Sequence, residues 1–235
     1  MFHISTDKTY IHSDSLNRDL FFGFGTKKLG DGRDKNALRK YFKDKFSPVN
    51  IVFPKQIHSA DVIVFKDQVS LTDQCDAVVT KKKDTILTVI TADCLPIVYV
   101  DDLARVIAIS HQGWKGTLNR LPAKVVDTML ELGSLKKNIH CIFGPAINDC
   151  CYEIYGQRLE NFKNEFQMDD IFRKTKQKYF LNLYKANFET LTKKGIPPKN
   201  VDFFPFCTSC DVENFYSYHR DGKIAGEMVS YVMLN

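Results

Sequence analysis

Between residues 77 and 110 the chain passes through four short apolar segments, 77–80, 86–90, 96–100 and 106–110, with no stretch of helical period between them. Each is rich in β-branched residues and lacks the strict polar alternation of a half-exposed strand, so each reads as a strand buried on both faces. Strands that follow one another this closely pair with their neighbours rather than alternate with helices. The pattern therefore predicts an α+β fold, a large mixed β-sheet core flanked by helices, rather than a regular βαβ repeat. Further strand-like segments fall at 20–24, 50–53, 61–65, 139–143, 201–206 and 224–233. Two stretches do carry helical period. Leu121, Val125, Met129 and Leu132 recur between Asn119, a plausible cap, and Gly133, a stop. Leu181, Tyr184, Phe188 and Leu191 do the same before the breaker Gly195-Ile196-Pro197-Pro198. No repeat, low-complexity tract or Gly/Ser-rich linker interrupts the chain, and one domain over residues 1–235 is expected.

Composition bounds the class of protein. With 44% hydrophobic and 26% charged residues, the chain can build a core without staples. Its first residues lack a basic and then apolar leader, and no apolar run approaches the roughly 20 residues of a membrane span. A cytoplasmic protein without a membrane partner is the expectation. The net charge of +5 is modest and dispersed. The one tight run, Lys81-Lys82-Lys83, reads as a solvated turn, so the chain suits anionic small molecules and does not call for nucleic acid.

The segments 96–100 and 106–110 flank a polar reversal, Asp101-Asp102-Leu103-Ala104. If they form an antiparallel hairpin centred between Asp102 and Leu103, Cys94 and His111 face each other at its far end, with Cβ atoms about 5 Å apart. Spacing alone leaves three readings open: a buried thiol beside a core histidine, a Cys–His nucleophile pair, or part of a metal site. His58, in PKQIHSADV, is a candidate third ligand, and two His with one Cys leave a fourth position free, the layout of a catalytic zinc. Cys207 and Cys210 have C-x-x-C spacing, but no second C-x-x-C completes a four-cysteine site. Cys150 and Cys151 are adjacent and look too close to serve as one, so packing is the expected role of this group.

Six ordered blocks, KQIHSADV, CDAVVT, TADCLPI, ISHQGWKG, GPAINDCCYEI and FCTSCDVENFYSYHRDGKIAG, resemble the laccase-domain family over about residues 50 to 226. Members of that family were first labelled multicopper polyphenol oxidases and are now regarded as purine nucleoside phosphorylases with adenosine deaminase activity. The resemblance implies a mixed α/β sheet sandwich similar to the cytotoxic-necrotising-factor fold, once grouped with cysteine hydrolases. It places the family's metal ligands, and with them the catalytic centre, on His58, Cys94 and His111. It implies purine nucleosides and phosphate as substrates, and zinc, with copper as the alternative. Zinc so held lowers the pKa of bound water toward about 7, which suits attack at C6 of adenine. Phosphate needs cationic donors, for which Lys115, Arg120 and Arg220 stand in or beside the blocks, and Trp114, the only tryptophan, is placed to stack on a purine.

The chain departs from the family pattern at Ser59, at Gln112 and Lys115, and at His219, which replaces the first Arg of a typical Arg-Arg pair. Asp93 is expected to point away from the Cys94 face as a structural hydrogen-bonder. The alternatives are a metal-free Cys–His hydrolase acting on peptidoglycan precursors, a single-site copper oxidoreductase, and a non-enzymatic metal-binding protein. Six histidines in all are too few for an oxygen-reducing copper cluster.

Overall fold

Two six-stranded sheets packed face to face carry the fold. The computed structural model describes residues 2–13, 20–46, 50–66, 74–167, 169–204 and 206–234. In the first sheet the spatial order is Phe2–Ile4, Tyr10–Ser13, Leu20–Gly25, Met228–Leu234, Thr85–Thr91 and Asn50–Val52. In the second it is Val201–Phe203, His140–Phe143, Leu95–Asp101, Val106–Gln112, Ala77–Thr80 and Val62–Phe65. A small third sheet joins Glu153–Ile154, Lys178–Leu181 and Phe172–Thr175. Antiparallel pairs dominate, and the pairs Asn50–Val52 with Thr85–Thr91, Val62–Phe65 with Ala77–Thr80, and His140–Phe143 with Val201–Phe203 are parallel. The sheets are mixed, as expected.

The alternation hidden in the apolar runs decides the layers. Val98, Val100, Ile107 and Ile109 point between the sheets, against Phe22, Leu87, Val89 and Val232. Their neighbours Ile97, Tyr99, Val106 and Ala108 point the other way, under helices Leu121–Glu131 and Leu183–Lys194. Helix Lys35–Lys45 covers the outer face of the first sheet through Leu38 and Phe42, which meet Ile86, Val229 and Tyr231. Each such buried side chain contributes roughly 1.5–3 kcal/mol, so a strand apolar on both faces is stable only as a middle layer.

The two sequence-derived helices are present with shifted ends. Asn119 closes the short helix Trp114–Leu118, and Arg120, in the left-handed region at φ 54°, opens the next helix with Pro122 in its first turn. Gly133 follows at φ 97°, a backbone state that L side chains resist. Leu181 lies in a strand, and the second helix begins at Leu183 with the Asn182 side chain accepting from the Lys185 amide. The final strand starts at Met228, because residues 222–224 form a single tight turn. Helices Lys35–Lys45 and Gly156–Phe166 escape the periodicity search because each buries only two or three residues.

The hairpin forms, with a different register. Its turn is Asp102-Leu103-Ala104-Arg105, with Arg105 at φ 53° and the Asp101 carboxylate accepting from the amides of Ala104 and Leu135 at 3.0 Å each. Pro96, not Cys94, stands opposite His111. The slip is by two residues, so side chains keep their faces and Cys94 sits diagonally from His111, one step beyond the strand.

Candidate active site and metal centre

Three chain segments converge at one end of this hairpin. The amides of Ile57, His58 and Ser59 donate to the Asp76 carboxylate at 3.2, 3.1 and 2.6 Å, and the Ser59 hydroxyl adds a fourth bond at 2.9 Å. A buried carboxylate thus wraps the turn and holds His58 at φ 58°. The same carboxylate meets His111 Nδ1 at 2.7 Å, which leaves His111 Nε2 as the nitrogen free to ligate. Asp76 lies at the start of the CDAVVT block, yet nothing in the sequence separates an orienting carboxylate there from an ordinary polar strand cap. A carboxylate behind a ligating imidazole fixes its tautomer and raises its basicity.

The donor atoms of His58, Cys94 and His111 lie within 4.8 Å of one another, with Cys94 Sγ 4.0 Å from His58 Nε2. The imidazoles meet edge to face at 4.7 Å. Gly113 makes this approach possible, since a Cβ there would lie 2.8 Å from His58 Cδ2 and 3.3 Å from Cys94 Sγ. Two imidazole nitrogens and a sulfur so arranged fit one divalent ion with a fourth position toward the cleft. Burial resists charge on both Cys94 and His111, but each stabilises the other. The neighbouring imidazoles pull the Cys94 thiol from 9.0 down to about 7, and Cys94 with Asp76 lifts His111 to about 10. The two shifts favour charge on both groups, thiolate on Cys94 and imidazolium on His111.

Asp93 is the structural hydrogen-bonder expected, but it acts from a bend between two strands rather than through strand alternation. It accepts from the hydroxyls of Thr208 and Ser217 at 2.7 and 3.0 Å and from the His219 amide at 2.6 Å. These bonds hold Asp93 at φ 84° and so aim the following Cys94.

The cluster lies in a cleft of about 810 Å³ whose walls include Lys35, Gln56, Trp114, Tyr152, Arg158 and His219. Of the substrate residues expected from sequence, Trp114 lines this cleft. Arg158, missed at that stage because its helix carries no motif, stacks its guanidinium 4.6 Å from the Trp114 ring. Burial pushes the Tyr152 phenol up to about 12, against the opposing pull of Arg158, so it stays a protonated hydroxyl.

The other expected phosphate ligands are placed elsewhere. Lys115 packs its ammonium 5.6 Å from the Trp114 ring and is not among the residues lining the cleft. Arg120 bonds Glu165, Glu189 and Thr190 at 2.8 Å each and stacks on Phe166, tying two helices to its own turn. Arg220 pairs with Asp221 and donates to the carbonyls of Thr208, Ser209 and Phe215. Both guanidiniums are held by partners within the fold, and neither Arg120 nor Arg220 is among the residues lining the cleft. The cysteines bring a correction: Cys150, Cys151, Cys207 and Cys210 cluster with sulfurs within 4.8 Å of one another, where packing alone was expected.

A His–Cys–His cluster able to hold a metal ion thus lies in a cleft of a double-sheet α+β sandwich. The family model described as multi-copper polyphenol oxidoreductase laccase matches residues 24–235, and the chain belongs to that family. It is 33% identical over 189 residues to adenosine deaminase RL5 of an unknown prokaryotic organism, covering 75% of this chain and 72% of that one. It is 30% identical over 231 residues to a purine nucleoside phosphorylase of Clostridium acetobutylicum, covering 97% and 92%. Among solved structures, the hypothetical protein YfiH of Bacillus licheniformis superposes with a TM-score of 0.90 at 25% identity, covering 100% of this chain and 99% of that one. Among the described residues, no helix is long and apolar enough to cross a membrane.

Proposed function

We propose that this protein is a zinc-dependent purine nucleoside phosphorylase that also deaminates adenosine, working in the cytoplasm. The observation that carries the reading is the His58/Cys94/His111 cluster, backed by Asp76, opening into a cleft with one aromatic wall and cationic groups at hand. The names of the relatives support the substrate class. His58, Cys94 and His111 hold the metal, which when bound supplies Lewis acidity at the reacting end of the nucleoside.

The remaining roles belong to the chain. Asp76 keeps His111 Nδ1 protonated, so that Nε2 faces the cleft. Trp114 packs the purine or ribose face, with Arg158 held against it as a fixed cation for phosphate. Lys35 adds a second positive charge on the same cleft. The Tyr152 hydroxyl, kept neutral by burial, donates a hydrogen bond to the leaving purine or the ribose. Zinc is favoured over an oxygen-reducing copper cluster because of the six histidines only His219 joins His58 and His111 along the cleft.

Product analysis on adenosine, with and without phosphate, tests the reading. Adenine formed only with phosphate and inosine formed without it, both lost in His111→Ala, is the expected result. No product above the variant's background overturns it for these substrates.

One observation favours a second reading. Cys94, His111 and Asp76 also form a Cys–His–Asp line with a lowered thiol pKa, the arrangement of a metal-free cysteine hydrolase acting on peptidoglycan precursors. Activity that survives complete removal of metal and is abolished by Cys94 alkylation would select it.

A further inference from the structure

We propose a second metal site in this protein, independent of the functional reading above: the thiolates of Cys150, Cys151, Cys207 and Cys210 hold one tetrahedral zinc ion that pins together the two loops beside the cleft.

The sulfur positions match a single ion. Cys210 Sγ lies 3.6 Å from Cys150 Sγ and 3.4 Å from Cys151 Sγ, and all four sulfurs fall within 4.8 Å of one another. Four sulfurs bound at about 2.3 Å to one tetrahedral ion stand ~3.8 Å apart, so little movement is needed. Four soft sulfur donors select zinc over magnesium or calcium.

Adjacent cysteines ordinarily diverge, but here the backbone turns sharply between them. The amides of Cys151 and Tyr152 both donate to the Asn148 carbonyl at 2.9 Å, and the Glu153 amide donates to the Cys151 carbonyl at 2.9 Å. That turn brings both side chains to one side. The C-x-x-C segment is also wrapped: the amides of Cys210 and Asp211 donate to the Cys207 carbonyl at 3.2 and 3.0 Å. The amide of Asn148 donates to Cys207 Sγ at 3.3 Å. An amide donated to a sulfur is a backbone contact that steadies a metal-bound thiolate.

A centre with four thiolates and one Zn²⁺ carries a net charge of −2, and Arg173 stands beside it. Its guanidinium donates to the carbonyls of Asp149 and Cys150 at 2.9 and 3.4 Å. On binding, the ion forms four Zn–S bonds and the displaced thiol protons pass to solvent, with no change in oxidation state.

The site reaches the cleft through both loops. Ile147 and Tyr152 line the cleft from the first loop. From the second, Thr208 sits between two proposed ligands and donates to the Asp93 carboxylate that aims Cys94. The two loops already meet as a parallel bridge, Ala146 with Cys207. The proposed ion locks that junction.

The test is metal analysis of the full chain, purified under reducing conditions without chelator. Wild type is expected to hold two zinc ions per chain. The variant His58→Ala/Cys94→Ala is expected to keep one, and Cys150→Ser/Cys210→Ser to lose one while retaining its far-ultraviolet circular dichroism. Wild-type protein reconstituted with cobalt gives a check that requires no substitution at the cysteines. Its second equivalent should bring strong visible bands and thiolate-to-cobalt charge transfer characteristic of four sulfurs. The proposal is overturned if His58→Ala/Cys94→Ala carries no zinc and takes up none on titration. It is equally overturned if mass spectrometry shows the four cysteines paired as disulfides in freshly reduced and purified protein, which would make them a redox pair instead.

Discussion

The chain gathers metal-ligating side chains in two places, and they are built differently. The His58/Cys94/His111 cluster draws one residue from each of three distant segments anchored on a rigid sheet, with Asp76 bonded behind it. The Cys150/Cys151/Cys207/Cys210 cluster draws four sulfurs from two surface loops, with the Asn148 amide in place of a carboxylate. The first leaves a side open to a cleft; the second gathers four sulfurs within 4.8 Å of one another. A mixed, three-donor set on a strong scaffold suits chemistry, and a closed sulfur set between loops suits holding. The two sites should therefore respond differently: ligand loss at the first removes activity and spares stability, and at the second it lowers stability.

The largest expected effect is on turnover. Cys94→Ala or His111→Ala should lower kcat/KM on adenosine by at least about 10²–10³-fold, the scale of losing one preorganised stabilising group, with a thermal midpoint within a few degrees of wild type. A variant that unfolds instead would mean that the cleft cluster is a structural site, and the contrast between the sites would fail.

Next comes the carboxylate behind His111. Asp76→Asn should weaken zinc binding at the cleft roughly 10–100-fold in competition with a chelator and leave the number of zinc ions bound at saturation unchanged. Gly113→Ala should act in the same direction, since its Cβ would meet His58 Cδ2 at 2.8 Å. Its added cost in stability is about 1–3 kcal/mol, read from urea unfolding.

A third prediction concerns pH in metal-free protein. The thiol pKa is lowered from 9.0 to about 7, so the thiolate of Cys94 persists down to about pH 7 and is lost below it. Alkylation of the Cys94 peptide, followed by mass spectrometry, should rise with a midpoint near 7. In His111→Ala the largest stabilising cation is gone, and the midpoint should move up toward the ordinary 9.0. An unchanged midpoint would show that the two groups are not coupled.

The smallest effects separate cations inside the cleft from those outside. Arg158→Ala should raise the KM for phosphate about tenfold, with kcat changed less. Arg120→Ala should leave that KM alone and cost about 1–3 kcal/mol of stability through the lost pairs with Glu165 and Glu189. Lys115→Ala should change neither measurably, because its charge is exposed beside Trp114.

Much of this was legible in the chain itself. The apolar runs announced buried strands because every residue of Leu95–Asp101 and Val106–Gln112 is buried, and the run has to be apolar on both faces. Gly133 and Gly195 announced helix ends because both adopt positive φ. The α+β class and the family could be read from ordered motifs. The strand pairs Phe2–Ile4 with Tyr10–Ser13 and Phe172–Thr175 with Lys178–Leu181 could not, since strands of three or four residues carry too few buried positions to set a period.

By itself, then, the sequence determined which buried central segments are strands, which residue types could ligate a metal, and which family the chain resembles, because periodicity and motif spacing are local properties. Only the tertiary structure decided the rest. It set the hairpin register, and so made Cys94 a diagonal neighbour of His111, because a side-chain bond from Asp101 selects the turn. It placed Arg120 between Glu165 and Glu189, partners distant in sequence, and away from the cleft lining. It brought Cys150 and Cys151 to Cys207 and Cys210 across 55 or more intervening positions, since Cys151 and Cys207 are the nearest pair in sequence. No spacing rule reports which loops meet. That is settled by the strands that carry them to the same end of the sandwich.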